Sequence, residues 1–158
     1  MSDRPPRLRR QARLMRLVNL PMRRILALPF STPLSKRLML LYLTGRRSGR
    51  SYRQPVSYVR DGDSLLTPGG GNWKLNLEPG RPERIRLDGR DIMARPDLID
   101  DVDEIDNALM TMTAANPRTA SFIPIARQDD GHLDRDGLIN AVTHGFRIVR
   151  WHLDIPTQ

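Results

Sequence analysis

The residues best suited to chemistry in this chain form a short, arginine-rich stretch between two apolar runs. Residues 45–51 read Gly-Arg-Arg-Ser-Gly-Arg-Ser and combine three arginines with two glycines. Glycines let backbone N–H groups come close to an anion, and guanidinium groups supply paired donors for phosphate or carboxylate. The stretch therefore predicts an anion-binding turn. Glycine and serine are also ordinary turn residues, so a simple solvated turn is the alternative.

A second unusual stretch places three consecutive glycines, followed by Asn72 and Trp73, after Pro68. In regular structure each glycine costs roughly 0.5–1 kcal/mol relative to alanine, so a loop is expected at residues 69–71. Close approach of the backbone to a planar ligand would explain the glycines, and so would a plain flexible linker. We expect Asn72 to cap a short helix over residues 73–77.

The sequence contains few residues arranged for metal binding, nucleophilic catalysis or base stacking. The chain has no cysteine, which excludes disulfides, thiolate metal sites and cysteine nucleophiles. Its three histidines, His132, His144 and His152, are scattered without metal-ligand spacing. Aromatic residues make up 5% of the chain, which leaves little material for stacking nucleic-acid bases. We therefore predict no metal site and no catalytic acid, base or nucleophile.

Positive charge is concentrated at the start of the chain. Residues 1–53 hold 14 of the 26 arginines and lysines and one acid, Asp3, whereas the remainder holds 17 of the 18 acids. Such asymmetry indicates a basic face or arm that meets an anionic partner. Lipid headgroups, nucleic acid and a polyanionic cofactor are the three alternatives. The common nucleic-acid-binding motifs are absent, so no nucleic-acid partner is expected.

The first 37 residues are predicted to form a basic N-terminal arm, and residues 38–158 one barrel domain. Over residues 8–28, apolar residues recur at spacings of three and four among arginines, as in an amphipathic helix that Pro21 interrupts. Such a helix either lies on an anionic membrane surface or packs its apolar stripe on the domain. With no apolar stretch of 18 residues and no signal-peptide cleavage site, we expect a cytoplasmic protein, at most peripheral to the membrane.

The rest of the chain predicts strands joined by tight turns. We expect strands over residues 38–43, 52–60, 64–67, 83–87, 91–95 and 146–153, and a short one over 122–126. An acidic helix is predicted to start at Pro96-Asp97 and to end at Asn116-Pro117, and a short helix is predicted over residues 134–142. Tight turns imply antiparallel pairing. The expected fold is therefore an α+β small barrel of about six strands with flanking helices.

Residues 38–95 resemble the deazaflavin (F420)-dependent nitroreductase family of the flavin and deazaflavin oxidoreductases, which have a split β-barrel fold. The likeness rests on an ordered set of residues: Leu-Tyr-Leu-Thr-Gly-Arg-Arg-Ser-Gly at 41–49, then Arg53, Pro55, Val56, Tyr58, Asp-Gly-Asp at 61–63, Gly70, Gly71, Trp73, Asn76 and Leu77. The helical flanks match more loosely. The chain departs from the family in having no tyrosine after Tyr58, where the nitroreductases use tyrosines to form the substrate pocket.

The resemblance implies coenzyme F420, a hydride carrier with a phosphate and a polyglutamate tail. By the family pattern the phosphate and tail are held by Arg46, Arg47, Ser48, Gly49 and Arg53. The deazaflavin ring is expected to lie near Pro55, Val56, Gly69, Gly70, Gly71 and Trp73, and Phe122 and Trp151 are the predicted substrate-pocket residues. FMN is the alternative cofactor, but it has a single phosphate and needs fewer cations.

The function implied by the resemblance is hydride transfer from reduced F420 to a small, lipophilic quinone, enone or nitro compound. In such enzymes the cofactor does the chemistry and the protein positions the substrate, which agrees with the lack of a catalytic triad. A homodimer is a further expectation, since dimers are common among split barrels. The alternative from another class is a non-catalytic module that binds nucleic acid or a membrane surface.

Overall fold

The computed structural model describes residue 27 and residues 36–69, 71–123 and 125–154, with only the backbone described at residues 120–122. This part of the chain forms one antiparallel sheet of seven strands with the order β2-β1-β5-β6-β7-β4-β3. The strands are β1 (Leu38–Thr44), β2 (Ser51–Ser57), β3 (Val59–Asp61), β4 (Ser64–Pro68), β5 (Glu83–Leu87), β6 (Arg90–Ile99) and β7 (Ile148–Leu153). The α-helices are α1 (Val102–Ala115) and α2 (Arg135–Thr143).

The sheet is curled into a split barrel, and one residue shows why. Strands β2 and β3 stand at opposite edges of the sheet, yet only Tyr58 separates them along the chain. A single residue spans less than about 4 Å, so the two edges must meet there. The backbone N–H of Tyr58 donates to the carbonyl of Arg37 at 3.1 Å, which fixes the crossing. The predicted α+β barrel is confirmed, with seven strands instead of about six.

Alternation along the strands divides the core between the two faces of the sheet. One face forms the barrel interior, where Met39, Leu41, Leu65, Val149 and Trp151 belong to one buried cluster. The other face carries the two α-helices, and it buries Leu66, Ile148, Ile105, Leu109 and Leu138 in a second cluster. Residues that are adjacent in sequence, such as Leu65 and Leu66, therefore belong to different buried clusters.

Two predicted hairpins are present. Strand β1 pairs with β2 along its whole length, from Leu38 opposite Ser57 to Thr44 opposite Ser51. Strand β5 pairs with β6 across the turn at Asp88 and Gly89, whose φ angles are 51° and 80°. Two consecutive positive φ angles suit a two-residue hairpin turn because their twist matches that of the strands. The expected strand over residues 52–60, however, is split between β2 and β3.

The predicted start of the acidic helix at Pro96-Asp97 is wrong. Strand β6 continues through Pro96 to Ile99, because every one of these residues pairs with a residue of β7. Helix α1 begins at Val102 instead, where the Asp101 carboxylate accepts the backbone N–H of Glu104 at 2.9 Å. A capping aspartate with an acidic residue three positions later is a recognised start signal, and it outweighs a proline-aspartate pair. The predicted end at Asn116 is confirmed.

Smaller differences follow from short helices. The described residues of the range 122–126 form no strand, since a 3₁₀ helix spans Pro117–Phe122 and the bridge that joins Arg127 to Leu133 is an isolated one. The short helix near Trp73 is a 3₁₀ helix over Asn72–Asn76, and its N-terminal flanking residue is Gly71, not Asn72. Helix α2 matches its prediction, with the Asp134 carboxylate accepting the backbone N–H of Gly137 at 2.9 Å.

One contact concerns the N-terminal arm. The guanidinium Nη1 of Arg86 donates to the carbonyl of Ala27 at 2.9 Å, so the chain at residue 27 lies against strand β5. Residues 8–26 and 28 lie outside the described residues, and the predicted amphipathic helix stays a prediction. Among the residues that the structure describes, no helix is long and apolar enough to cross a membrane.

Candidate functional site

The arginine-rich stretch forms a compact turn between β1 and β2. Gly45 donates to the carbonyl of Arg50 at 2.9 Å, and Gly49 donates to the carbonyl of Gly45 at 2.8 Å. The hydroxyl of Ser48 accepts the backbone N–H of Arg50 at 3.3 Å. A Cβ atom at position 45 would lie 2.5 Å from this hydroxyl, and Gly49 has a φ of 66°. The turn therefore requires glycine at position 49, whereas a side chain at position 45 would displace the Ser48 hydroxyl from its hydrogen bond.

Asn76, the last residue of the first 3₁₀ helix, fastens this turn to the barrel. Its side-chain oxygen accepts the backbone N–H of Arg46 at 2.9 Å, and its side-chain nitrogen donates to the Tyr52 hydroxyl at 2.6 Å. Burial raises the pKa of the Tyr52 phenol above its ordinary value of 10.0, and the hydrogen bond from Asn76 lowers it in part. One carboxamide thus holds the turn, β2 and the 3₁₀ helix together.

A cleft of about 340 Å³, here called the arginine cleft, opens between the turn and the 3₁₀ helix. Its described lining carries two guanidinium groups and two carboxamides and contains no acidic residue: Gly45, Arg46, Arg47, Ser48, Asn72, Leu75 and Asn76. Guanidinium and amide donors around an opening without carboxylates suit a phosphate or a chain of carboxylates. The anion-binding turn predicted from the sequence therefore has a matching surface.

A second cleft, of about 370 Å³, lies beside the first and shares Asn72 and Leu75 with it. Its other described lining residues come from the 3₁₀ helix and from the end of α2: Lys74, Ala141, His144, Gly145 and Phe146. The Lys74 ammonium donates to the carbonyl of Gly71 at 3.1 Å. Burial, together with the positive charge of Arg147, lowers the pKa of Lys74 below its ordinary value of 10.5. The chain thus has two adjoining clefts of different character.

The structure separates the predicted tail-binding residues into two groups. Arg46, Arg47 and Ser48 line the arginine cleft, and Gly49 lies in the same turn. Arg53 is exposed on β2 opposite Tyr42 and does not line this cleft. Arg46 and Arg47 are therefore the two cations that the turn itself presents to the cleft.

The residues predicted to lie near the ring are also dispersed. Pro55 is partly buried opposite Leu40, and Val56 is buried in the barrel interior. Trp73 packs against the same interior cluster. Neither Pro55 nor Val56 lines either of the two clefts. Their contact with a cofactor ring stays a prediction.

The glycine loop has a structural reason that neither of the two sequence interpretations included. Gly69 donates to the carbonyl of Arg147 at 2.8 Å, and a Cβ atom there would lie 2.9 Å from that oxygen. A Cβ atom at Gly71 would lie 2.7 Å from the Trp73 ring. Because the chain's own atoms fill both spaces, glycine is required whether or not a ligand binds. Gly70 lies outside the described residues.

The two predicted substrate residues are Trp151 and Phe122. The side chain of Trp151 is fully buried in the barrel interior and lines neither cleft, and its role in a substrate pocket stays a prediction. The side chain of Phe122 lies outside the described residues. Sequence reasoning missed the lining role of Asn72, Lys74, Leu75, Asn76 and His144. Only Asn76 belonged to a quoted motif, the Asn-Leu pair before β5.

Comparison with known proteins supports the fold. No family model and no curated protein sequence matches the chain. A solved structure described as a domain-swapped dimer aligns with a TM-score of 0.53 and 13% identity, over 87% of this chain and 98% of the other. An F420-H2 dependent reductase aligns with a TM-score of 0.49 and 11% identity, over 73% of this chain and 94% of the other. At such identities the first alignment establishes a shared architecture, and activity has to be argued from the site.

Proposed function

We propose that this chain is an F420-dependent oxidoreductase that transfers a hydride from reduced F420 to a small, lipophilic acceptor such as a quinone, an enone or a nitro compound. The observation that carries the proposal is the arginine cleft, which is lined by Arg46, Arg47, Asn72 and Asn76 together. Five of its seven described lining residues also carry the sequence resemblance: Gly45, Arg46, Arg47, Ser48 and Asn76. The cleft also stands in the split barrel that the resemblance implies.

The residues of the arginine cleft fit the polyanionic part of this cofactor. Two guanidinium groups would hold the phosphate and the first carboxylates of the tail, since each presents paired donors to an oxyanion. None of the described lining residues is acidic, so no negative charge opposes binding there. The hydrogen bond from Arg46 to Asn76 fixes the turn before a ligand arrives, which lowers the entropic cost of binding.

Cofactor chemistry makes few demands on the chain. When bound, F420 supplies the hydride carrier, so the chain's residues have to bind, orient and shield. The described residues of the two clefts include no pair of carboxylates and no nucleophile with a neighbouring base. This composition suits a protein that positions two molecules beside each other.

The test is a fluorescence titration of the purified protein with F420, with FMN in parallel. We expect saturable F420 binding, and an Arg46→Ala/Arg47→Ala variant should bind roughly tenfold or more weakly, because each charge-assisted hydrogen bond contributes about 1.5–3 kcal/mol. The loss should be largest at low salt, where screening is weakest. The matched control, Arg60→Ala/Arg90→Ala, removes the same charge from exposed sites outside both clefts and should bind as the wild type does.

Each result has a clear meaning. If F420 binds equally weakly to both double variants, the loss of affinity comes from the lower net charge of the protein and not from the arginine cleft. If the protein binds FMN but not F420, FMN is the cofactor of this barrel. If it binds neither F420 nor FMN, the proposal of a redox function is rejected. The membrane contact through residues 8–28 and the homodimer stay predictions, which liposome co-sedimentation and size-exclusion chromatography would test.

A further inference from the structure

A third cleft, here called the basal cleft, has a volume of about 430 Å³ and opens beside Tyr58, the residue between β2 and β3. It shares no described lining residue with either of the other two clefts. Arg37 and Tyr58 lie at one end of the β1–β2 hairpin, and the arginine turn lies at the other end. Because seven strand residues separate the two ends at about 3.3 Å each, the basal cleft is roughly 20 Å from the arginine cleft. It is therefore a separate site.

Positive charge dominates the basal cleft. Lys36 and Arg37 come directly before β1, Arg60 lies on β3, and all three residues are exposed. The cleft has no acidic residue among those described in its lining. Within the described part of the chain, none of the three cations forms an ion pair with a carboxylate.

This arrangement differs from other parts of the described surface, where several arginines pair with aspartates. Three such pairs have N···O distances of 2.7 Å: Arg86 with Asp91, Arg95 with Asp154, and Arg135 with Asp103. Exposed ion pairs contribute little to stability, but they offset local charge. In the basal cleft no described carboxylate offsets the charge, and cations that share one opening raise the local concentration of anions. The cleft is therefore suited to an anionic ligand.

The segments that carry these cations are fixed to each other. The backbone N–H of Tyr58 donates to the carbonyl of Arg37 at 3.1 Å, which ties the start of β1 to the segment that leads into β3. Asn116 closes α1, and its side-chain oxygen accepts the backbone N–H of Arg118 at 3.2 Å. The amide nitrogen of the same side chain keeps two N–H donors for a ligand. The C-terminal end of a helix carries about half a negative charge, which three cations outweigh.

The basal cleft also has apolar walls and room for more than an inorganic anion. Val59, Ala115 and Pro117 contribute the apolar part of its lining. A water molecule takes up about 30 Å³, and a phosphate group is a few times larger, so a cleft of about 430 Å³ leaves space for a small organic body. Small-molecule sites typically combine apolar walls with a few placed polar groups.

We infer that the basal cleft binds a phosphate monoester carried on a small body of the size of glycerol. A monoester carries about −1.5 to −2 charges at neutral pH, which suits three cations better than the single charge of a carboxylate. The guanidinium groups of Arg37 and Arg60 present paired donors to its oxygens, and the Lys36 ammonium adds a point charge. A soluble ester and the headgroup of phosphatidic acid both present this group. The inference is independent of the proposed function, since it needs no F420.

The first experiment is an NMR titration of the full-length protein with glycerol 3-phosphate, in a phosphate-free buffer of constant ionic strength. Saturable shifts are expected at the backbone amides of Arg37, Arg60 and Asn116, and glycerol should cause none. Arg37→Ala/Arg60→Ala should weaken binding at least tenfold. The matched control, Arg81→Ala/Arg90→Ala, removes the same charge from exposed residues outside the cleft and should bind as the wild type does. Unchanged amide positions elsewhere in the spectrum establish that both variants are folded.

Vesicles distinguish the two sources of the phosphate group. Phosphatidylcholine vesicles contain either phosphatidic acid, which is a monoester, or phosphatidylglycerol, which is a diester, at equal surface charge. If the ligand is a lipid headgroup, the wild type should co-sediment more strongly with the phosphatidic acid vesicles, and Arg37→Ala/Arg60→Ala should lose that preference. If the ligand is a soluble ester, glycerol 3-phosphate binds and both kinds of vesicle retain the same amount of protein.

Three results would overturn the basal site. Shifts that do not saturate, together with no preference for phosphatidic acid, would show that the cleft attracts anions without binding them specifically. Equal weakening in Arg37→Ala/Arg60→Ala and in its control would assign the effect to net charge. Displacement of glycerol 3-phosphate by F420 would show that the cleft belongs to the cofactor site. Failure to bind F420 would instead reject the proposed function and leave the basal site standing, since glycerol 3-phosphate binds without the cofactor.

Discussion

The side-chain oxygen of Asn76 accepts a hydrogen bond from the backbone N–H of Arg46 at 2.9 Å, across 30 residues of sequence. This contact joins the arginine turn to the 3₁₀ helix that lines both clefts. The other end of the same carboxamide donates to Tyr52 at 2.6 Å, so a single side chain sets the position of the turn relative to β2. The relative positions of the turn and the 3₁₀ helix, which line the clefts, therefore depend on Asn76, although the Asn76 side chain carries no charge.

Replacing Asn76 with alanine should loosen the turn without removing any cation. We expect the free energy of unfolding to fall by about 1–2 kcal/mol, because one hydrogen bond is lost at each end of the carboxamide. F420 should also bind more weakly, although both arginines are still present. Urea denaturation and the fluorescence titration measure the two effects. Asn107→Ala, at an exposed position of α1, is the control, and equal behaviour of the two variants would contradict the role of Asn76.

The contact between Gly45 and Ser48 predicts a coupled pair. Gly45→Ala would place a Cβ atom 2.5 Å from the Ser48 hydroxyl and force that side chain to rotate, which breaks its hydrogen bond from the backbone N–H of Arg50 at a cost of about 0.5–1.5 kcal/mol. Ser48→Ala removes the same hydrogen bond, so the double variant should be about as stable as either single variant. A double-mutant cycle in urea measures the coupling. Additive effects of the two substitutions would show that the turn resists alanine for another reason.

Burial of Tyr52 predicts a dependence of stability on alkaline pH. The folded state raises the pKa of this phenol above 10.0, mainly by desolvation, so it holds the proton more tightly than the unfolded chain does. The stability that Tyr52 contributes is therefore fully present below pH 10 and is lost as the pH rises through the raised pKa.

The measurement compares urea midpoints at pH 8 and above pH 10 for the wild type and Tyr52→Phe. At pH 8 the variant should be less stable by about 0.5–1.5 kcal/mol, since Asn76 loses its hydrogen-bond acceptor. Above pH 10 the difference in free energy of unfolding between the wild type and the variant should become smaller. Only the wild type has a phenol at position 52, and either keeping that phenol protonated or burying its anion lowers the stability of the folded state. Parallel pH curves would contradict the assignment.

Local patterns predicted most of the strands. Alternation and turn residues located both hairpins, because a β5–β6 turn at Asp88-Gly89 is encoded within two residues. The start of α1 was misplaced because pairing of β6 with β7, a contact between distant segments, keeps Pro96 in the sheet. Residue propensities near a proline do not predict a ladder that forms with residues 49 to 55 positions later in the chain.

The candidate site shows the same division. Arg46, Arg47 and Ser48 were predicted because their types and order are local, and the cleft contains them. His144 and Lys74 line the same cleft only because the end of α2 folds against the 3₁₀ helix. No sequence pattern within either segment predicts that arrangement. Trp151 belongs to the buried cluster of the barrel interior, and its predicted substrate role stays a prediction, because an aromatic residue suits a barrel interior as well as a pocket.

Two polar atoms in the barrel interior lead to a final prediction. The hydroxyl of Thr67 and the indole Nε1 of Trp151 are buried, and the structure gives neither of them a hydrogen-bond partner among the described residues. Thr67 lies on β4 opposite Val149, and its side chain points to the same face as Leu65. A buried hydroxyl without a partner keeps the cost of its desolvation, about 1–3 kcal/mol.

Thr67→Val should therefore stabilise the protein by about 1 kcal/mol, because valine keeps the branched shape and removes the unpaired hydroxyl. Thermal or urea unfolding measures the change, and Thr44→Val, at the exposed end of β1, should stay within about 0.5 kcal/mol of the wild type. Destabilisation by Thr67→Val would show that the hydroxyl has a partner in solution.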